Sequence, residues 1–355
     1  MSLDTPVRLF RDFLTDRYGT ALQRVSIDPG FSCPNRAADG TGGCAFCPPD
    51  GARALQSRGL TDLTAQIETG IDFARGRYGA TDFIAYIQAY SGTFAPGHAV
   101  RDLCERVLDH YPFRMLAIGT RPDCLSEETI AWLRRLNTRL DVWVELGIQS
   151  GHDATLSAMN RGHGWAESRD AVCRLKAAGL RVAPHLIIGL PGDSMRDWRK
   201  TVQSLVALGI DAIKFHNLHI IRGTALAAWH MSAPIPTLSE TEYAEILMEL
   251  VRFVPWSVPL MRFVTDTPPE ELLAPAWSME KGQFREFLFR QMRFRGIRQG
   301  DRCRTGKEAP AALPAPRAPV PTADGSITFW SDAFKEHYHT PAGAHSEARF
   351  KFAEP

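Results

Sequence analysis

Six short apolar runs, each trailed by an amphipathic stretch, leave this chain few possible folds. They are RVSID (24–28), FIAYIQ (83–88), MLAIGT (115–120), VWVELGI (142–148), VAPHLIIGL (182–190) and AIKFHNL (212–218). Runs of this length between helical segments read as buried strands of a parallel sheet joined by helices. SEETIAWLRRLN (126–137) has the helical period, with Ser126 ahead of Glu128 and Thr129 as its start. SMRDWRKTVQSLVALGI (194–210) has it too, with Gly209 as the stop. Six βα units in chain order favour a barrel over a doubly wound sheet, and a barrel carries its chemistry on the βα loops. The expected fold is α/β: a partial, TIM-like barrel of six strands over about residues 20–218, followed by a helical extension.

Bulk composition narrows the function class. The 355 residues suit one barrel with an appendage, and an apolar fraction of 44% supplies its core. A formal net charge of +1 excludes a chain-wide polyelectrolyte signal, so any basic surface has to be local. MSLDTPVRLF lacks a signal-peptide core, and no apolar run approaches the roughly 18 residues of a membrane span. Seven cysteines without regular spacing point to reduced thiols and a cytoplasmic location, with no membrane partner.

Three of those cysteines lie together in CPNRAADGTGGCAFC, spaced C-x10-C-x2-C, on a loop after the first expected strand. Cys44 and Cys47 share one turn, and Cys33 returns a third thiol across a glycine-rich segment. Such a trio suits an iron–sulfur cluster with one iron left open, or zinc, or plain structural thiols. Structural zinc wants a fourth ligand; His216 and His219 are the candidates, far along the chain. Cys104, Cys124 and Cys173 lie in or beside apolar helical stretches and read as small buried hydrophobes.

The trio after the first strand of a barrel resembles the radical S-adenosylmethionine (SAM) superfamily. Its wide first spacing is similar to the bacterial YhcC-like subgroup, related to the catalytic subunit of Elongator. The resemblance is carried further by YIQAYSGTFAP (86–96), AIGTRPDCLSEE (117–128), ELGIQSGHDATL (145–156), HLIIGLPGD (185–193), IKFHNLHIIRGTALA (213–227) and LLAPAWSMEK (272–281). It implies a [4Fe-4S] cluster on Cys33, Cys44 and Cys47 that binds and splits SAM to a 5′-deoxyadenosyl radical, with an electron donor such as flavodoxin or ferredoxin. By the same resemblance Phe46 packs on the adenine, and Gln88 with Ser91, Gly92 and Thr93 meets the methionine amino group. Glu145 and Gln149, bracketing the fourth strand, would contact the ribose, and Ile187 and Gly189 the adenine.

The substrate is read from three features. Lys214, His216, His219 and Arg222 fall at and after the sixth strand, a cationic group expected at the barrel mouth for an anionic substrate. Seven arginines between Arg285 and Arg304, interleaved with Phe284, Phe287, Phe289 and Phe294, suit phosphates and bases, or an ordinary amphipathic helix. A Pro/Ala-rich linker (306–325) then leads to a tail (326–355) resembling the start of the methyltransferase domain that finishes 5-methylaminomethyl-2-thiouridine in tRNA. The expected organisation is a barrel over 1–218 with its iron–sulfur loop at 30–58, an extension over 219–305, the linker and the tail. Together these imply an enzyme acting on the wobble uridine side chain of tRNA, for example taking 5-carboxymethylaminomethyl to 5-aminomethyl, upstream of a methyltransferase. A radical SAM enzyme on a small metabolite or a protein, and a zinc-stabilised RNA-binding module, are the alternatives.

Overall fold

The computed structural model describes residues 5–303 except 38, 52 and 266, and the short strands Val320–Pro321, Ile327–Thr328, Trp330–Ser331 and Glu336–His337. The remainder of the expected linker and tail lies outside the described residues. Helix α1 (Phe10–Tyr18) leads into strand β1 (Gln23–Ile27), and helix α2 (Leu63–Tyr78) into β2 (Phe83–Ile87). Then follow α3 (Gly97–His110), β3 (Met115–Thr120), α4 (Glu127–Leu136), β4 (Asp141–Gln149), α5 (Asp153–Ala158), α6 (Trp165–Ala177) and β5 (Arg181–Ile188). Next come α7 (Met195–Ala207), β6 (Ile213–Asn217) and β7 (Ile220–Ile221). Ahead of the four short strands come α8 (Ala225–Ser232), α9 (Glu240–Val251), β8 (Leu260–Arg262), β9 (Leu272–Ala274) and α10 (Lys281–Phe294).

All six expected strands form, and they pair in parallel in chain order. A seventh, β8, joins them beside β6, so the sheet has seven strands where six were expected. It comes from the segment read as a helical appendage. The appendage also shares the main core: Tyr243, Leu247, Phe284 and Leu288 are buried in the same apolar cluster as Val25, Ile118 and Val144. The helix signals hold at both marked places. Ser126 accepts a hydrogen bond from the Thr129 amide at the start of α4, and Gly209 adopts a left-handed φ of 76° just past α7.

Strand alternation sorts the interior into levels. Outward residues such as Val25, Ile87 and Val144 pack under the helices. Inward residues at the strand starts, Ile84, Met115, Trp143, Ala183 and Ala212, pack with Phe10 and Leu14 of α1. The Phe10 ring meets Trp143 edge-on at 5.0 Å, so α1 closes the N-terminal mouth. Two residues further along β2, β4, β5 and β6 the interior turns polar, at Tyr86, Glu145, His185 and Lys214. The loop that holds the three cysteines follows β1, at the C-terminal ends of the strands.

Candidate active site

The cysteine loop is tied to the barrel at several points. Ala45 N donates to Met159 O at 2.9 Å, Asn160 Nδ2 to Gly43 O at 2.8 Å, and Leu226 N to Ala45 O at 2.8 Å. Asn35 reaches across to the Asn160 carbonyl. Gly162, at φ 75°, passes so close that a Cβ there would stand 2.5 Å from Asn35 Oδ1. The trio is thereby held over the ends of β3 and β4. Cys33 and Cys44 are buried and Cys47 half-buried.

Three guanidinium groups surround the thiols. Arg161 Nη1 lies 3.2 Å from Cys44 Sγ, Arg36 Nη2 lies 3.7 Å from Cys47 Sγ, and Arg121 Nη1 lies 3.9 Å from both Cys33 and Cys44 Sγ. Asn35 Nδ2 adds a donor at 3.6 Å from Cys44 Sγ. Arg121 is gripped by Asp123 through both carboxylate oxygens, at 2.9 and 2.7 Å. Burial and the neighbouring Cys44 push the Cys47 thiol up, against the pull of Arg36. Among the described residues no three His, Cys, Asp or Glu side chains converge on one metal-ion position.

Beneath the trio lies a buried polar layer. Glu145 is 0% exposed and accepts from Tyr86 Oη at 2.9 Å, His185 Nε2 at 2.7 Å, Lys214 Nζ at 3.1 Å and Arg24 Nη2 at 2.5 Å. Burial alone would raise the Glu145 carboxyl; Arg24, Lys214 and His185 outweigh it and hold the group well below the usual range. Burial first, then the charges of Arg262 and Arg24, bring Lys214 down to about 7 despite Glu145. Burial and Lys214 bring His185 down to about 4. His216 is one level up, its ring centroid 5.6 Å from that of His185 and its Nε2 buried without a hydrogen-bond partner.

These positions change several expectations. Glu145 does not sit at the end of the fourth strand; it is central in β4 and its carboxylate is fully engaged. The cationic group at the mouth is dispersed, because strand alternation and the turn after β6 separate its members. Lys214 and His216 face the interior at successive levels. His219 bonds Asn217 and Thr267 at 2.9 Å each, and exposed Arg222 donates to the Glu270 carbonyl at 3.0 Å. The hydroxyls of Ser91 and Thr93 turn inward onto Thr120 Oγ1, at 2.8 and 2.6 Å. Gly92 sits where a Cβ would meet Gly119 O at 2.9 Å, so this turn stitches β2 to β3 and requires the glycine. Cys104 and Cys124 are buried as expected, but Cys173 is exposed on α6.

Other residues do come together. Phe46 and Ile187 pack on one apolar cluster with Met159, Leu190 and Leu218. Gln88 is half-buried just past β2, before the left-handed Ala89 (φ 133°) and Tyr90 (φ 48°). Gln149 (φ 74°) ends β4, and Gly189 (φ 96°) follows β5. Non-glycine residues in this conformation are strained and tend to cluster where ligands bind.

Most of the chain is similar to one known family. Residues 32–205 match the Radical SAM superfamily, and residues 210–293 the Radical SAM C-terminal domain. Protein YhcC of Escherichia coli (strain K12) is 34% identical over 283 residues, spanning 78% of this chain and 89% of its own. The chain belongs to the radical SAM superfamily. A tRNA uridine(34) acetyltransferase of Methanocaldococcus infernus is 28% identical over 186 residues, 52% of this chain and 34% of that one. The solved structure of archaeal Methanocaldococcus infernus Elp3 with residues 1–46 deleted has a TM-score of 0.62 at 20% identity, covering 78% of this chain and 64% of that one. At that identity the likeness speaks for the fold alone.

Radical SAM membership makes this chain an enzyme and implies a [4Fe-4S] cluster and SAM. The residues fit such a group. Thiolates are the ligands of iron–sulfur centres, and three cations with a side-chain amide stand ready to offset their charge. None of those arginines stands out in the sequence. Arg121 in TRPD and Arg161 in NRGHG look like loop punctuation until the fold brings them to the sulfurs.

Proposed function

We propose that this radical SAM enzyme modifies tRNA at the wobble uridine, with Cys33, Cys44 and Cys47 holding a [4Fe-4S] cluster whose open iron takes SAM. The observation that carries the cluster reading is the convergence of Arg36, Arg121 and Arg161 on those three sulfurs. When bound, the cluster supplies the electron that splits SAM to methionine and a 5′-deoxyadenosyl radical. The chain's own residues position and desolvate. Phe46 and Ile187 offer one apolar surface for the adenine, while Gln88, Gln149 and Gly189 stand at the strand ends for its polar contacts. The layer of Glu145, His185 and Lys214 lies one level inside the strand ends and keeps fixed charge there.

The tRNA assignment rests on relatives. The one that carries it is named for uridine 34 of tRNA. A single-stranded anticodon loop offers a base that is cheap to splay into a barrel mouth. His216, with its buried unpartnered Nε2, is one interior group able to meet a polar substrate atom. Two phenylalanines of the arginine-rich segment take the ordinary helical role, Phe284 and Phe289 of α10 being in the core, while Phe287 is half-buried and Phe294 exposed. Arg295 and Arg302 pair with Glu245 and Glu249 of α9. Arg285 and Arg290 remain on the exposed face for phosphate. Nucleoside analysis of tRNA from cells lacking the protein tests the assignment. An altered uridine-34 profile is expected, and an unchanged one passes the reading to a small-metabolite substrate.

A further inference from the structure

We propose that Arg121 and Arg161 are positioning residues that set the reduction potential of the cluster, Arg161 pulling it up more than Arg121. This rests on the cluster reading above.

Both guanidiniums are nearly sealed from water, Arg121 at 3% exposed and Arg161 at 5%. Charge in such a place is felt far more strongly than at a surface. Each is fixed by one set of contacts and spends another N–H on sulfur. Arg121 uses Nε and Nη2 on Asp123, leaving Nη1 between Cys33 and Cys44. Arg161 uses Nη2 on the Gly147 carbonyl at 2.5 Å, leaving Nη1 on Cys44 at 3.2 Å. Net charge and hydrogen bonds to the sulfurs are what tune such clusters. Reduction adds one electron to the cluster, and a buried cation donating to a ligand sulfur favours the more negative state.

The two arginines differ in one respect. Asp123 places a carboxylate against Arg121 and cancels part of its field. Arg161 is anchored by a neutral carbonyl, and its charge acts in full. Arg36, on the half-buried Cys47, sits on the loop itself and is more open to water. The order of effect is therefore Arg161 above Arg121, with removal of the Asp123 charge acting in the opposite sense.

The test is a redox titration of the anaerobically reconstituted full chain with titanium(III) citrate as one-electron donor, following the cluster by electron paramagnetic resonance. Iron and sulfide content are measured on every sample. Arg161→Gln should make electron uptake at least tenfold less favourable, a shift of about 59 mV to lower potential. Arg121→Gln should shift it the same way by less. Arg161→Lys should recover part of the loss, and Asp123→Asn should move the potential upward. A parent chain that takes up no iron defeats the cluster reading itself. Loaded variants with the parent's potential overturn the proposal while leaving that reading intact. Should Arg161→Gln fail to load, Arg161→Lys and Asp123→Asn decide in its place, and parent values in both overturn it.

Discussion

Lys214 Nζ stands 3.1 Å from Glu145 Oε2 inside the barrel, reaching past the β5 strand that separates their own two strands. The carboxylate also holds Arg24, His185 and Tyr86, so its removal strands several buried groups at once. Glu145→Gln keeps the shape and deletes the charge. Breaking a buried ion pair from one side costs roughly 3–5 kcal/mol. Denaturant unfolding should show a loss of that order. The double variant Glu145→Gln, Lys214→Met should lose less than the sum of the single changes, because neither charge is then left alone. Strict additivity would contradict the pairing.

The same layer makes stability depend on pH. His185 has its pKa brought to about 4 in the folded chain, against an ordinary 6.5. Below about 4 both states hold the proton; between about 4 and 6.5 only the unfolded chain does. Stability therefore rises with pH through that window, by about 3 kcal/mol from this group alone. Glu145, held low, acts in the same sense: its contribution is present above the ordinary carboxylate range and lost on acidification through its folded value. His185→Gln should flatten the slope of unfolding free energy between pH 4 and 6.5. A parent chain equally stable at both ends would refute the assignment.

If Cys33, Cys44 and Cys47 hold the cluster as proposed, replacing any one of them by Ala should abolish iron binding, since no fourth thiolate is offered in that assignment. Cys104→Ala should leave iron unchanged and cost stability instead, because that thiol is fully buried in the core. Retained iron and SAM cleavage in Cys44→Ala would remove the ligand assignment.

Gly162 supports the loop without touching the thiols. An alanine there meets Asn35 Oδ1 at 2.5 Å and must hold φ at 75°. A left-handed alanine costs roughly 1–2 kcal/mol, and Asn35, a donor to Cys44, is displaced as well. Gly162→Ala should lower cluster occupancy with little change in far-ultraviolet circular dichroism. Full iron content would mean that the loop tolerates the displacement.

What can be read from the sequence follows from how each feature writes itself there. The six long strands carry continuous apolar runs, and their order alone implies a parallel sheet. Strand β8 is only three residues, Leu260–Arg262, and pairs because the fold brings it beside β6. No period can show in so short a run. Glu145 and Lys214 stand out in the sequence, but as mouth residues. Alternation says that a residue faces inward, and the depth of a level becomes visible only once the strands are in register. Arg121 and Arg161 lie far from the cysteines in sequence, so their approach to sulfur is a product of tertiary structure. The cysteine trio is legible as a group because its three thiols share one loop.

The tRNA assignment makes a quantitative demand on the surface. Arg295 and Arg302 already pair with acids of α9, so of the arginine-rich segment Arg285 and Arg290 on the exposed face of α10 are the groups offered to phosphate. Each neutralised phosphate releases a counterion, and the slope of log affinity against log salt changes by roughly one for every phosphate-binding arginine removed. Reversing both to Glu should weaken tRNA binding and reduce that slope by about two. Uncoupled SAM cleavage should stay at the parent level, because α10 packs against α9 and buries Phe284, Leu288, Phe289 and Met292 in the apolar core, away from the cysteine loop. Reversing Arg295 should instead be read in stability, since its partner Glu245 then faces a like charge. Filter binding of tRNA across a salt series, with SAM cleavage measured alongside, separates these outcomes. A parent chain whose tRNA affinity ignores salt would place the substrate elsewhere and leave the radical chemistry standing.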